Sequence, residues 1–470
     1  MKKYLISALF LLLIPVASCK GPEGRVLSRP HLVLIILDTV RRDALGSYGY
    51  KAEVSPAFDS FAEKGVRFED VRSNSPWTLP SHSSMFTGLL PSEHGATNES
   101  LVLAKKNRTV AERLKKKGYQ TAGFSTNPWL TLFTGVNQGF EQYYWIHWPM
   151  ADSSAGKKGG QKLIMRLRHW NREKRKPDKP AFLFFNLMEA HAPYFPPEHY
   201  RKAVAGSRGG NITAESSSLL PILSHNLKVK KIPEGDIALF RLLYQGAISY
   251  QDFLLARLLK VLEYIVPGAF IIITSDHGEA FNEHGLISHE FSLYEELLRV
   301  PMAANFGNCF KPGTRTDAPL MLTDVHDMLL RASKSDPACP ERINPLDLVP
   351  DARNRDRVRK SEYFRPALLH RIFKKIHPSR MKNIDLRLQA ITRGNKKLLA
   401  DSAGRLRLFN LEKDPGEKKD LSSSNQDEVE SLSSQLGRWL RGQGHGKSPG
   451  KIDHIGQEVK EQLKALGYAL

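Results

Sequence analysis

The chain is short of acid, of cysteine and of any apolar run long enough to cross a bilayer. Against 69 Lys and Arg it sets only 49 Asp and Glu, a formal charge of +20. That imbalance implies attraction to anionic surfaces or substrates, such as lipid headgroups, acidic polysaccharide or nucleic acid. No recognised nucleic-acid module accompanies the charge, so no nucleic-acid partner is expected. Three cysteines occur, Cys19, Cys309 and Cys339. The last two could pair in an oxidising compartment; neither lies near the chemistry developed below, and both are read as structural. The conspicuous apolar stretch, Leu5 to Val16, is too short to span comfortably. Internal repeats are absent too. What is present is 470 residues at 41% hydrophobic content, enough for a sizeable core in one large α/β unit.

The first 18 residues read as a leader. Met1-Lys2-Lys3 is basic, Leu5 to Val16 apolar, and Ala17-Ser18 small. Cys19 follows, and "VASC" resembles a bacterial lipobox, which implies cleavage before Cys19 and lipid on its sulfur. Lys20, where an aspartate would retain the protein at the inner membrane, favours the outer membrane. An ordinary signal peptide or signal anchor is the alternative. The expected location is the bacterial envelope, periplasmic or outer membrane, with the anchor as the membrane contact.

Residues 19–30 form a tether. "HLVLIILD", "AFLFFNL" and "AFIIITSD" are continuous apolar runs of strand length, as expected for parallel strands covered on both faces, and "YQTAGFS" is a weaker one. Helical patterns lie between them, at Pro56 to Lys64, Thr109 to Lys117 and Leu243 to Tyr264. The alternation predicts an α/β catalytic domain over 31–335 with a mostly parallel sheet sandwiched by helices. Gln161 to Lys179 is basic and amphipathic, which suits a solvated helix before a core strand better than a membrane-surface helix. Residues 336–384 read as a basic excursion or linker. From 385 to 470 alternating strands ("LRLQAITR", "KKLLAD", "RLRLFNL") and a helix at Asp427 to Leu440 predict a small antiparallel α+β subdomain.

Each strong strand ends, on its carboxyl side, in residues able to bind a metal or an anion: Asp38, then Glu189 and His191, then Asp276 and His277. Ligands of open α/β sheets bind at those ends. In "SPWTLPSHSSMFTG" Pro80 suits a first helical turn, so Thr78 is expected just before a helix N-terminus, where negative charge is favoured. Its hydroxyl is either a cap or a nucleophile activated by a divalent metal.

The stretches "LVLIILDTVRRDALGSYGY", "TLPSHSSMFTGLLPSEHG", "FFNLMEAHAPYFPP" and "IITSDHGEAFNEHG" resemble, in order, the sulfatase branch of the alkaline phosphatase superfamily. So do the closing "LFNLEKDPGEKKDL" and "LKALGY". The resemblance implies that Asp38, Asp276 and His277 ligate a metal. It puts Thr78 where sulfatases place the residue converted to formylglycine, and His82 where their motif has arginine. It implies that His191 contacts the sulfuryl or phosphoryl group, with His289 and Asn98 as further contacts.

The chain departs from that pattern in three ways. Thr78 cannot become formylglycine, which starts from Cys or Ser, so none is expected. Asp38 is followed by Thr39 instead of a second aspartate. The resulting nitrogen and oxygen donor set suits one Zn²⁺ or Mn²⁺ better than Ca²⁺ or Mg²⁺. The lysine and histidine of a "GKWH" stretch are replaced within "GFSTNPWL", where Ser125, Thr126 or Asn127 are neutral substitutes. Glu189, His284 and His289 raise a second metal, although the full ligand set is not evident. The expected function is a sulfatase-like metallohydrolase or phosphotransferase acting on anionic sulfate or phosphate esters of an envelope lipid or polysaccharide. Phosphodiester or phosphoryl-headgroup chemistry is favoured. The alternatives are an arylsulfatase-like enzyme without formylglycine and an inactive anion- or glycan-binding lipoprotein.

Overall fold

The computed structural model describes residues 27–149, 156–210, 213–337, 339, 341–365, 379–381, 384–442 and 457–465. The leader, Cys19 and most of the tether lie outside the described residues.

Eight strands make the main sheet: β1 (Leu32–Leu37), β2 (Val66–Phe68), β3 (Gln120–Ser125), β4 (Gln142–Trp145), β5 (Ala181–Leu187), β6 (Phe270–Thr274), β7 (Met302–Asn305) and β8 (Thr314–Thr316). Their order is β8-β2-β7-β6-β1-β5-β3-β4. Only β7 runs against its neighbours. All six residues of β1 are buried. Leu32, Leu34 and Ile36 join one core while Val33, Ile35 and Leu37 join the other, because successive side chains point to opposite faces. The expected mostly parallel sheet, covered on both sides, is what forms.

Helix α1 spans Pro56–Glu63, α2 Thr78–Thr87, and α3 Gly160–Glu173. Leu163, Ile164, Leu167 and Trp170 of α3 are buried, so its apolar face belongs to the core and not to a membrane surface. Helix α4, Glu234–Ile265, starts nine residues before the expected Leu243, directly after Pro233. Polar residues at its exposed start hide the helical period there. No helix among the described residues is long and apolar enough to cross a membrane.

The C-terminal sheet is antiparallel, β9 (Arg359–Tyr363), β10 (Leu388–Arg393), β11 (Lys396–Asp401) and β12 (Leu406–Asn410), with helix α5 (Gln426–Gly442) placing Leu432 and Leu436 against it. Strand β9 corrects the expectation for 336–384: part of that stretch is the sheet's edge, pairing along its length with β10. Its composition, RKSEY, carries no apolar alternation, since edge strands tolerate charge. Residues 366–378 lie outside the described ones.

A buried ion network joins the C-terminal sheet to the catalytic domain. Lys397 on β11, fully buried, reaches Glu295 at 3.0 Å and Glu417 at 2.9 Å, and Arg72 reaches Glu295 at 2.8 Å. Cys309 and Cys339 form a disulfide with Cα atoms 5.2 Å apart.

Candidate active site

Strand register assembles the site. Leu37 pairs with Leu187 and Ile36 with Thr274, so the carboxyl ends of β1, β5 and β6 lie level. Asp38, Asp276 and His277 follow β1 and β6 there, with ligand atoms all within 4.8 Å of one another. Among the described residues no other group of acids, histidines or cysteines gathers in this way.

Thr78 is the first residue of α2, one position further in than expected, and Trp77 is the N-cap. The Thr78 hydroxyl makes no cap. Instead Asn127 donates from Nδ2 both to Asp38 Oδ2 at 2.8 Å and to Thr78 Oγ1 at 3.3 Å. Asn186, the single polar residue within β5, donates to the same Asp38 oxygen at 2.9 Å. Ser81 is occupied elsewhere, donating to the Asp276 carbonyl at 2.7 Å. Thr39 has a φ of 61°, a left-handed conformation that strains a β-branched residue. Its amide thereby donates to Asp276 Oδ1 at 3.1 Å.

The free atoms fit a cation. Asp38 Oδ1, Asp276 Oδ2 and His277 Nε2 are buried with no hydrogen-bond partner. His277 Nδ1 lies 2.9 Å from the Gly278 carbonyl, so that nitrogen holds the proton and Nε2 keeps its lone pair. In the protein alone, burial first and the neighbouring Asp276 second push the Asp38 carboxyl up to about 7. Burial also lifts Asp276 to about 7. Two carboxyls this close cannot both ionise cheaply without a positive charge between them.

His277, His289 and His191 form a chain of rings, with centroids 4.6 Å and 4.8 Å apart. His191 Nδ1 faces its neighbour's Ala192 carbonyl at 2.6 Å, and His289 Nδ1 faces Glu279 Oε1 at 3.1 Å. Burial lowers both imidazoles well below their usual range. His82 sits within the core against Phe86 and Phe184, with Nδ1 2.9 Å from the Thr78 carbonyl and 3.6 Å from Asp276 Oδ2. Burial holds it down to about 3, hence neutral. Asn98 is buried with an unpaired Oδ1, and among the described residues no hydrogen bond ties it to Thr78 or to the carboxylates.

The donors raised for a second metal are not gathered. Glu189 Oε1 accepts the Gly160 amide at 3.0 Å, capping α3. His284 stacks on Tyr294 at 3.5 Å, beside the C-terminal subdomain.

Sequence reasoning missed Lys158 and Glu279. Lys158 is buried, and its ammonium donates to the carbonyls of Glu189 (3.2 Å), His191 and Pro193 (3.0 Å), pinning the loop that carries His191. Burial lowers it to about 8, against the pull of Glu189, Asp38 and Glu279. Nothing in "SSAGKKGG" distinguishes Lys158 from a surface lysine. Glu279 could have been found, since it stands two residues after a ligand candidate in "SDHGE".

This is an α/β protein with a buried group of two carboxylates and an imidazole that could hold a metal ion, near a hydroxyl at a helix N-terminus. A family model described as Sulfatase matches residues 30–326, well over half of the chain, and the chain belongs to the sulfatase family. It is 24% identical to an arylsulfatase of Clostridium perfringens over 90% of this chain and 96% of that one. Its fold is shared by the phosphonate monoester hydrolase of Agrobacterium radiobacter, with a TM-score of 0.67 at 19% identity, covering 88% of this chain and 96% of that chain. A protein solved with its substrate D-glucosamine-2-N,6-O-disulfate aligns with a TM-score of 0.65 at 17% identity, covering 91% of this chain and all of its own.

Proposed function

We propose that the chain is a metal-dependent hydrolase of sulfate or phosphate esters whose nucleophile is the Thr78 hydroxyl, with phosphoryl chemistry favoured. One observation carries this reading: Asn127 donates both to Thr78 Oγ1 and to Asp38 Oδ2, which brings the hydroxyl beside one member of the Asp38, Asp276 and His277 group. Those three residues would hold a divalent cation, with Zn²⁺ or Mn²⁺ suited to the mixed donor set. Bound there, it supplies Lewis acidity and offsets the negative charge of the ester.

Thr78 Oγ1 attacks the central phosphorus or sulfur and its proton leaves to water. The bond to the leaving oxygen breaks, and that alkoxide takes a proton. Water then cleaves the Thr78 ester at phosphorus or sulfur, restoring the hydroxyl and releasing the acid: inorganic from a monoester, a phosphate monoester from a diester, a phosphonic acid from a phosphonate ester. The α2 N-terminus and Asn127 favour negative charge beside the attacking oxygen. His191 and His289 are held by Ala192 and Glu279, with the His289 ring between those of His277 and His191, and their remaining nitrogens would contact the ester oxygens. A plain hydroxyl has no counterpart of the hemiacetal by which formylglycine expels sulfate, and this favours phosphate or phosphonate esters. The disulfate sugar in the fold neighbour and the +20 charge support an anionic saccharide or headgroup as substrate. The same reading keeps the chain in a bacterial envelope, lipid-anchored at Cys19.

The test uses p-nitrophenyl sulfate, phosphate, phenylphosphonate and bis-p-nitrophenyl phosphate with chelated and Zn²⁺- or Mn²⁺-reloaded protein. Thr78→Ala is expected to lose about 1,000-fold or more of the preferred activity, as removal of a nucleophile does. An alanine variant as active as wild type removes the assignment.

A further inference from the structure

The sheet has two ends, and the site uses only the carboxyl one. At the amino end, where β1, β3 and β5 begin, the described chain enters at Leu27 and meets a dense group of cations. Arg29 donates from its guanidinium to the Lys117 carbonyl, and Tyr119 donates to the Pro30 carbonyl at 3.0 Å. Lys117 reaches Ser333 at 2.9 Å, which brings Lys334 alongside. Partial burial, then the charges of Lys334 and Arg29, lower the Lys117 ammonium. Arg108, Arg113, Lys116 and Arg331 line the same groove. Its acids are engaged: Glu112 with Arg108 at 2.8 Å, Asp347 with Arg353 at 2.6 Å, and Asp327 with His326 at 2.9 Å.

A second basic turn, Lys174 to Lys179, sits on the same end. The Gln120 side chain at the first residue of β3 binds the Lys174 carbonyl at 2.7 Å, the Lys176 amide at 2.8 Å and Arg175 at 3.3 Å. Lys174, Lys176 and Lys179 are exposed.

These cations cannot serve the candidate active site. A strand of six residues separates the two ends by about 20 Å, roughly twice the distance over which salt screens exposed charges. We propose that the amino end of the sheet is a docking face for an anionic phospholipid bilayer. The position of the tether favours a bilayer over a soluble polyanion. Cys19 stands eight residues before Leu27, so a lipid there would hold this face within about 28 Å of the membrane. The active site then opens away from the surface. The proposal rests on the anchor reading for the choice of a bilayer and for orientation; the cationic face stands on its own.

The experiment is vesicle co-sedimentation of the full chain with phosphatidylcholine alone and with phosphatidylcholine carrying about one-third phosphatidylglycerol, at low and high salt. Each cation close to such a surface contributes about fivefold in partitioning. Wild type is expected to bind the anionic vesicles at least about tenfold better, with the excess falling as salt rises. Reversal of Lys116, Lys117 and Lys334 to Glu removes that excess. Reversal of three exposed lysines elsewhere, Lys51, Lys413 and Lys419, keeps most of it. Equal losses in the two triple variants, or no excess in wild type, overturn the face. Absence of binding to neutral vesicles with the anionic excess intact supports the face and removes the anchor.

Discussion

Asn127→Ala tests the bridge on which the catalytic reading stands. The substitution removes the 2.8 Å charge-assisted bond to Asp38 and the 3.3 Å bond to Thr78. A hydrogen bond to a charged group contributes about 1.5–3 kcal/mol, and a longer neutral one about 0.5–1 kcal/mol. If both strengthen as negative charge develops on Thr78, their loss raises the barrier by about 2–4 kcal/mol. That is roughly 30- to 1,000-fold in kcat/KM. Asn127 Oδ1 also accepts the Trp129 amide at 2.8 Å, so a stability loss of about 1 kcal/mol accompanies the change and is read separately from thermal melting. Steady-state kinetics on the preferred p-nitrophenyl ester, at saturating metal, gives the answer. A folded variant within threefold of wild type would falsify the bridge as a catalytic element.

Lys397→Met strands the buried Glu417 carboxylate and leaves Glu295 with Arg72 alone; urea unfolding is expected to show a loss of about 3–5 kcal/mol, while a loss under 1 kcal/mol would mean that water reaches the network. His31 accepts the Ala181 amide on Nδ1 at 3.0 Å and is held down to about 4 by burial and then Arg175. Its neutral form is therefore the folded one: the unfolded chain binds the extra proton between about pH 6.5 and 4, and stability falls as pH drops through that window. Denaturation midpoints measured across it should slope less in His31→Gln than in wild type. Lys158→Met frees three carbonyls under the His191 loop and is expected to cost about tenfold in kcat with KM nearly unchanged. An unchanged kcat would make the lysine purely structural.

Much of this molecule could be read before it was seen, for a specific reason. Strands β1, β5 and β6 are buried almost throughout on both faces, so their apolar runs are long and their ends conspicuous. An Asp or His placed at such an end stands out, which is how Asp38, His191, Asp276 and His277 were legible. The short strands β2, β8 and β9 were not, because three to five residues with charge among them carry no period. Asn186 was hidden in plain view as one polar residue inside an apolar strand. Lys158 was invisible as a partner, since it acts on a loop 31 residues away, and Asn127, one of three neutral donors expected in its stretch, gave no sign of its partners Asp38 and Thr78, which lie 89 and 49 residues away.

By itself, the sequence determined the alternation of strand and helix, the chemistry offered at each strand's carboxyl end, and the run of hydroxyls that opens α2. Those are local properties, set by pattern and side-chain type. Only the tertiary structure decided which of the offered groups meet. Register aligns the strand ends to within a residue, the left-handed turn at Thr39 aims an amide at Asp276, and Asn127 ties Thr78 to Asp38. It also sent Glu189 to cap a helix and His284 to a distant ring. A metal-binding group is a matter of ångströms between residues far apart in the chain, and such distances exist only once the sheet has closed around them.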